Sequence, residues 1–343
     1  MHNQFSQYIS GLEGGQDLFW SLMYLANEIK KNPESFYQAA PLKGKVMSAL
    51  FLNPSLRTRT SMETALFRLG GHLNVLQVGG GNGTWGMAFE KGVKMDGMEA
   101  EHIIEAAGVL SSYSDALAMR SFSTMSDFKK DMQDQAMQAL AQHSSVPLLS
   151  LESARYHPCQ GLADALTIKE YLGEPKGRNF TLAWAPHPKM CGVAVPHSAL
   201  LAAARLGMNV NVVHPPGYEL DPEVMITAEQ LAQVEGGSIT VSNDLSAGCQ
   251  DADIVYAKAW GSHLDYGQTA QGSLRNQEYQ DWTLSSKYFD IEKQAFMHCL
   301  PVRRGVVVED EILDSKASLV QKQAAYRLWG QMAILIKLMN QNF

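Results

Sequence analysis

Nine short runs rich in Val, Ile and Leu recur along the chain, at residues 46–53, 73–78, 115–122, 146–153, 180–186, 210–215, 238–243, 253–260 and 296–301, and segments of helical period separate them. A strand that reads as a continuous apolar run is covered on both faces, and such runs alternating with helices specify parallel sheets flanked by helices. The predicted class is therefore α/β. A chain of 343 residues, 45% of them hydrophobic, can bury two cores of this kind. The stretch YHPCQGLADALTIKEYLGEPKGRN, closed by Gly173, Pro175 and Gly177, reads as a long helix joining two α/β halves. The last segment, AYRLWGQMAILIKLMNQNF, has apolar residues at helical spacing and is expected to pack back on the fold. The gap 123–145, with Asp127, Lys129, Lys130, Asp131 and Asp134, is expected to form solvated crossover helices.

Charge and cysteine usage narrow the function classes. Lys and Arg number 28 against 35 Asp and Glu, a net charge of −7, so there is no basic excess to displace counterions from a nucleic-acid backbone. No basic leader followed by an apolar stretch opens the sequence and no run is long enough to span a bilayer, so a cytoplasmic protein without membrane partners is expected. Cys159, Cys191, Cys249 and Cys299 are scattered and form no CxxC pair, which indicates reduced thiols rather than a zinc site or a disulfide framework.

Three short constellations carry chemistry. In FLNPSLRTRTSMETALFRLGG, residues 51–71, a predicted strand gives way to a helix through Ser55, Leu56, Arg57, Thr58 and Arg59. A strand-to-helix turn offers free backbone N–H groups and the positive end of the helix dipole, Arg57 adds a planar fork for two phosphate oxygens, and Ser55 and Thr58 add hydroxyls. The plainer alternative is a hydroxyl cap with solvated arginines. His157, Pro158, Cys159 and Gln160 open the linker helix, where a histidine has its pKa lowered by the dipole and in neutral form can donate to a carbonyl oxygen. In MHCLPVRRG a strand ends at Cys299, Leu300 and Pro301, followed by Arg303 and Arg304, and ligands of α/β sheets bind at the carboxyl ends of strands. A fourth signal, Gly81, Gly83 and Gly86 in GNGTWG, has the GxGxxG spacing, but no apolar helix follows it as a dinucleotide site requires. It reads as a mobile loop in which Trp85 docks on a ligand or a neighbouring subunit.

Taken together, SLRTR, HPCQGLAD and MHCLPVRRG resemble the S-x-R-T-R, H-P-x-Q-x-x-x-D and H-C-L-P segments of the transcarbamylases, in the same order along most of the chain. The resemblance implies two doubly wound parallel-sheet domains joined by interdomain helices, residues 1–153 completed by the C-terminal helix 324–343 and residues 154–323. It also implies a knotted second domain and a homotrimer with active sites between subunits. No metal or organic cofactor is implied. Ser55, Leu56, Arg57 and Thr58 would hold the phosphate of carbamoyl phosphate with Arg327, and Trp85 would close over it from a neighbouring subunit. Arg120, His157 and Gln160 would bind the carbamoyl group, with Pro158, Cys159, Cys299 and Leu300 beside it, Cys299 and the Leu300 carbonyl orienting the attacking amine. Before Arg327 this chain has Ala325 and Tyr326, where the family usually has an acidic residue and an asparagine.

The D-x-x-x-S-M-G loop of ornithine-using members is missing, and WAPHPK, YAKAW and HCLPVRR are similar to the enzymes that use N-acetylornithine or N-succinylornithine. Glu152, His187, Lys258 and Arg303 would hold the acylornithine. Acetyl-using relatives place a glutamate at Ala100 and a carboxylated lysine at Val307, so this chain has a roomier acyl pocket and fits N-succinyl-L-ornithine better. The same-class alternative is N-acetyl-L-ornithine; other classes are a nucleotide-binding oxidoreductase built on GNGTWG and a non-catalytic ligand-binding protein.

Overall fold

The computed structural model describes residues 5–79 and 84–340. Among the described residues twelve strands occur in chain order: β1 (Gln7–Tyr8), β2 (Val46–Phe51), β3 (His72–Gln77), β4 (Met87–Ala88), β5 (Glu101–His102), β6 (Ala116–Arg120), β7 (Leu148–Glu152), β8 (Asn179–Trp184), β9 (Asn209–Val213), β10 (Ser238–Ser242), β11 (Ile254–Lys258) and β12 (Ala295–Met297). Each of the nine apolar runs holds one strand. The two-residue strands β1, β4 and β5 are too short for a period and had no signal. The chain forms two compact units, one of residues 5–123, 130–159 and 327–340, the other of residues 124–129 and 160–326.

The first unit carries a parallel sheet in the order β1-β7-β6-β2-β3. From β2 the chain moves outward to β3 and then returns to the other side of β2 as β6, so the strand order reverses between β2 and β6. Loops leaving the carboxyl ends of strands at such a reversal diverge and leave a crevice. The central strands are buried on both faces: Met47, Ala49, Leu50 and all of Ala116–Met119 are fully buried. Each buried Leu or Met here contributes about 2 kcal/mol from apolar area removed from water. The helices Ile103–Tyr113 and Gln135–His143 cover one face, with Ile103, Ala107, Met137 and Leu140 packed against Leu50, Leu117 and Met119.

The second unit repeats the plan. Its parallel sheet runs β10-β9-β8-β11-β12, and the order reverses between β8 and β11. The helix Ala194–Arg205 follows β8 and is buried along its whole length, in keeping with its Ala- and Leu-rich sequence. Its opposite layer packs Phe289, Phe296, Leu284, Val307 and Val308 into one apolar cluster. Two long helices, Pro158–Leu172 and Val320–Met339, each begin in one unit and continue in the other. None of the described helices is long and apolar enough to cross a membrane.

The 124–145 region departs from expectation. It forms two short helices, Phe128–Met132 and Gln135–His143, but Asp131 and Asp134 are buried rather than solvated. Asp134 is at φ +54° and its Oδ1 accepts from the Ala154 N–H at 3.2 Å. This carboxylate braces the segment that follows β7.

Candidate active site

In the first unit the carboxyl ends of β2, β6 and β7 converge at the reversal point. Register places Arg120, the last residue of β6, beside Phe51 of β2 and Glu152 of β7. The helix Arg57–Arg68 starts just beyond β2, and its first turn is closed by the Ser55 hydroxyl, which accepts from the Thr58 N–H at 3.1 Å. Ser55 is thus a cap after all. The capping alternative does not extend to the arginines: Arg59 is exposed, but Arg57 is half-buried and Thr58 is 2% exposed. Leu56 points to solvent at 77% exposure.

Arg120 is locked by three hydrogen bonds and a ring. Its Nη1 donates to the carbonyls of Asn53 (3.2 Å) and Pro54 (2.8 Å), its Nη2 to Glu152 Oε2 (2.9 Å), and its guanidinium lies 4.2 Å from the Phe122 ring centroid. Arg327 comes from the C-terminal helix. Its Nη2 donates to Thr58 Oγ1 at 2.9 Å and its Nη1 meets His157 Nε2 at 3.3 Å, so the Ala325–Tyr326 departure leaves the arginine in this cluster. A guanidinium cannot accept, so His157 Nε2 presents its lone pair and the ring proton sits on Nδ1. His157 is held well below the usual histidine range, first by burial and then by the charges of Arg327, Arg120 and Arg57. The sequence assigned that lowering to the helix dipole; the structure assigns it to desolvation and three cations. The result is a neutral imidazole among three guanidinia with Glu152 as the nearby carboxylate, an arrangement with excess positive charge suited to an anion and a polar carbonyl.

Pro158 takes the first position of the following helix, where its missing N–H costs nothing. Cys159 is buried, its thiol is pushed up to about 11 by burial, and Sγ is turned toward the Ser150 carbonyl at 3.7 Å. Its thiol faces the sheet.

Trp85 bridges to Val78 and stands 54% exposed, its indole N–H donating to Glu101 Oε2 at 3.0 Å. Gly86 is required by close approach, since a Cβ there would lie 2.0 Å from the Met98 carbonyl oxygen. Gly81 and Gly83 lie outside the described residues. Strand β4, not a helix, follows this glycine segment, so the strand–glycine–helix context of a dinucleotide fingerprint is absent. Ala100 is exposed and lines an open depression of about 500 Å3 with Gly92, Met95, Glu101 and His102.

In the second unit the ends of β8, β11 and β12 carry the other expected residues. His187 follows β8 in a Pro-His-Pro loop, Lys258 ends β11, and His298–Arg304 follow β12. Arg303 Nε donates to His187 Nε2 at 2.9 Å, which leaves the ring proton on Nδ1, 2.8 Å from the Lys189 carbonyl. Burial first, then the charges of Lys258, Arg303 and Lys189, lower the His187 pKa. Lys258 Nζ donates to the Ala259 carbonyl at 2.9 Å. The neighbouring Arg304 turns away into exposed ion pairs with Asp310 (2.8 Å) and Asp314 (2.7 Å). Val307, expected to border the acyl pocket, has its side chain in the apolar core at 1% exposure.

A buried hub that the sequence did not reveal joins Gln160 to the Cys299 segment. Gln323 Nε2 donates to Asp164 Oδ1 at 2.6 Å, and that oxygen also accepts from Gln160 Nε2 at 2.7 Å. Gln323 Oε1 accepts from the His298 N–H at 3.0 Å, and His298 Nδ1 accepts from the Leu300 N–H at 2.9 Å. Leu300 is held at φ +53°, a conformation uncommon outside glycine, beside the half-buried Cys299. Among the described residues no three His, Cys, Asp or Glu side chains are grouped to hold a metal ion.

Comparison with known proteins bears on both units. Residues 10–170 match the family model of the carbamoyl-P binding domain of aspartate/ornithine carbamoyltransferase, and residues 182–338 that of its Asp/Orn binding domain. The chain is 40% identical over 305 residues to an N-acetylornithine carbamoyltransferase of Xanthomonas campestris, 88% of this chain and 89% of that protein. It is 33% identical over 315 residues to an N-succinylornithine carbamoyltransferase of Bacteroides fragilis, 91% and 92% of the two. A crystal structure of acetylornithine transcarbamylase with acetylcitrulline is similar at TM-score 0.92 and 37% identity, covering 97% of this chain and 98% of that one. A second, of an N-acetyl-L-ornithine transcarbamylase mutant with one glutamate replaced by alanine, complexed with carbamyl phosphate and N-succinyl-L-norvaline, is similar at TM-score 0.91 and 37% identity over 97% and 99%. With both domain models matched in order and relatives this similar over most of its length, the chain belongs to the aspartate/ornithine carbamoyltransferase family.

Proposed function

We propose that this carbamoyltransferase moves the carbamoyl group of carbamoyl phosphate to the δ-amine of N-succinyl-L-ornithine, giving N-succinyl-L-citrulline and phosphate in arginine biosynthesis. The observation that carries the transfer reading is the neutral His157 ringed by Arg57, Arg120 and Arg327. The guanidinia, with the first turn at Ser55–Thr58, take the phosphate. Arg120, His157 and Gln160 take the carbamoyl oxygen, whose negative charge grows as the amine adds to the carbonyl carbon. The new C–N bond forms, the C–O bond to phosphate breaks, and the amine proton leaves on the phosphate. Fixed donors aimed at that oxygen cost no reorganisation during the step, and holding both reactants replaces a bimolecular encounter.

The acyl end is assigned to Glu152, His187, Lys258 and Arg303, with Cys299 and the Leu300 carbonyl orienting the amine. For the succinyl group the support is Ala100, which stands in an open depression where the resemblance puts a glutamate. Several N-acetyl-L-ornithine transcarbamylase structures in which one glutamate is replaced, by alanine, serine or valine among others, hold N-succinyl-L-norvaline. The second reading, N-acetyl-L-ornithine, is favoured by the higher identity to the Xanthomonas protein. Assay of carbamoyl phosphate with ornithine, N-acetylornithine and N-succinylornithine separates these readings. The succinyl compound should be used fastest and free ornithine poorly, and Ala100→Glu should cut succinylornithine turnover by about tenfold or more through like-charge repulsion. Faster use of acetylornithine by the wild type refutes the acyl assignment, and no product with any acceptor refutes the transfer reading.

A further inference from the structure

The His187 loop is held from within by the contact of the His187 ring with Lys189 and from without by a neighbouring helix. Pro186 and Pro188 flank His187 and bring no N–H, and one face of the loop borders a cavity of about 510 Å3 lined by Asn276, Gln280, Thr283 and Glu309 among others. The helix Thr269–Gln277 grips the loop at two points on one face. Asn276 Nδ2 donates to the His187 carbonyl at 3.2 Å, and one turn earlier Ser273 Oγ accepts from the Met190 N–H at 3.2 Å. Asn276 is 2% exposed and its amide oxygen is also used, accepting from the Tyr218 hydroxyl at 2.8 Å.

Tyr218 is a rigid anchor. It is fully buried, its ring centroid lies 4.8 Å from that of Trp184, and its carbonyl accepts the Trp260 indole N–H at 2.8 Å. The Trp260 carbonyl accepts the Trp184 indole N–H at 2.8 Å, so both tryptophans are satisfied in the same chain of bonds. A continuous line of donors and acceptors therefore runs from the aromatic core through Tyr218 and Asn276 to the backbone of His187, whose imidazole meets Arg303 at 2.9 Å.

We propose that Asn276, backed by Tyr218, is a positioning residue that sets the His187–Arg303 pair for the acyl end of the acceptor. The inference rests on the reading above that this pair holds the acylornithine. The buried Asn276 amide uses its oxygen for Tyr218 and a donor for a main-chain carbonyl of a proline-flanked loop; a buried amide used only to fill space would leave that donor unsatisfied, at the cost of desolvation. Without that bond the loop keeps only the Ser273–Met190 tie to this helix, and a shift of the His187 backbone would lengthen the 2.9 Å contact of its imidazole with Arg303.

The test compares wild type, Asn276→Ala, Tyr218→Phe, Arg303→Ala and the Asn276→Ala/Arg303→Ala pair. Wild-type turnover of an acylornithine is measured first, and its absence overturns the functional reading on which the inference rests, before any variant is considered. Given that turnover, Asn276→Ala should raise the acceptor KM by about tenfold while kcat changes less than about threefold and inorganic phosphate affinity stays constant. Tyr218→Phe, which keeps the ring and removes the donor, should move the acceptor KM in the same direction by a smaller factor. In the Arg303→Ala background the Asn276 change should have little further effect on KM, because the bond acts through that pair. Equal losses in kcat and in both substrates' constants, full additivity in the double variant, or no change in acceptor KM for either single variant would each overturn the proposal.

Discussion

Replacing Arg327 by methionine separates binding from folding in the anion cluster. Methionine keeps most of the side-chain volume and removes the charge. On the folding side the loss includes the bonds to Thr58 Oγ1 and His157 Nε2, each, from a charged donor, worth about 1.5–3 kcal/mol net. Against this stands relief of crowding: Arg327 is 4% exposed and its charge presses on both Arg120 and His157. A buried cation facing other cations carries a desolvation cost of several kcal/mol, and an apolar replacement of similar volume is often neutral. The two terms nearly cancel, so the unliganded variant should stay within about 2 kcal/mol of wild type, a Tm shift below about 8 °C. Phosphate binding has no such compensation. One charge-assisted bond to a phosphate oxygen is worth about 1.5–3 kcal/mol, so the Kd for inorganic phosphate should rise about 10- to 100-fold. The His157 pKa should rise but stay below its ordinary value, because burial stands ahead of the charges among its causes. Calorimetric titration with phosphate, thermal unfolding and NMR titration of the imidazole read these three effects. A Tm drop beyond about 15 °C with unchanged phosphate affinity would make Arg327 a structural strut and refute the reasoning.

Two further outcomes are expected. If Trp85 closes a neighbouring subunit's phosphate site in a trimer, mixing inactive Trp85→Ala and Arg57→Ala chains after dissociation should restore part of the activity, with trimers in sedimentation; an active monomer or no restoration rules this out. The pH dependence of stability should show two opposed slopes. His157 has a folded pKa below its unfolded value of 6.5, so the unfolded chain binds more protons just below pH 6.5 and stability is lost as pH falls through that window, by up to about 1.4 kcal/mol per unit. Asp134 is pushed up to about 6 from 3.8, first by burial and with the Asp131 charge adding to it against Arg155, so the folded chain binds the extra proton and stability is lost as pH rises from 3.8 through 6. Asp134→Asn removes the second slope, and its unfolding free energy should fall more steeply than that of wild type between pH 6 and 4; parallel profiles would show that Asp134 is ordinary in the folded state.

What the sequence disclosed and what it hid follow from range. The nine strands were legible because a fully buried strand writes its burial into every residue. The Ser55–Thr58 turn was legible because two arginines beside a helix start have few structural uses. MHCLPVRRG shows where that logic stops: Arg303 and Arg304 are adjacent and chemically identical, and only the carboxylates of Asp310 and Asp314, six and ten residues downstream, draw Arg304 away and leave Arg303 to His187. Gln323 was hidden for a related reason. Its partners Asp164 and His298 are 159 and 25 residues distant, and nothing in VQKQAAYR marks which glutamine faces inward. Asp131 and Asp134 misled because charge was taken as a sign of solvent, whereas a carboxylate bonded to a backbone N–H, as Asp134 is to that of Ala154, can be buried as a brace.

The two histidines share one physical device. Each imidazole has its Nε2 turned to an arginine, so each must carry its proton on Nδ1, and each is kept neutral by burial first and neighbouring cations second. A carboxylate in the place of either histidine would satisfy the arginine more strongly, but it would also cancel the positive charge that a phosphate or a carboxylate-bearing acceptor needs. A neutral acceptor orients the guanidinium and leaves its charge for the ligand. The same choice explains why Glu152, the carboxylate in the first cluster, is bonded to Arg120, whose other NH group is already held by the Asn53 and Pro54 carbonyls, while Arg327 is partnered by a hydroxyl and an imidazole. The Glu152 carboxylate offsets the charge of Arg120, whereas the hydroxyl and imidazole that hold Arg327 leave its charge intact, so Arg327 rather than Arg120 should show the larger loss of phosphate binding when its charge is removed.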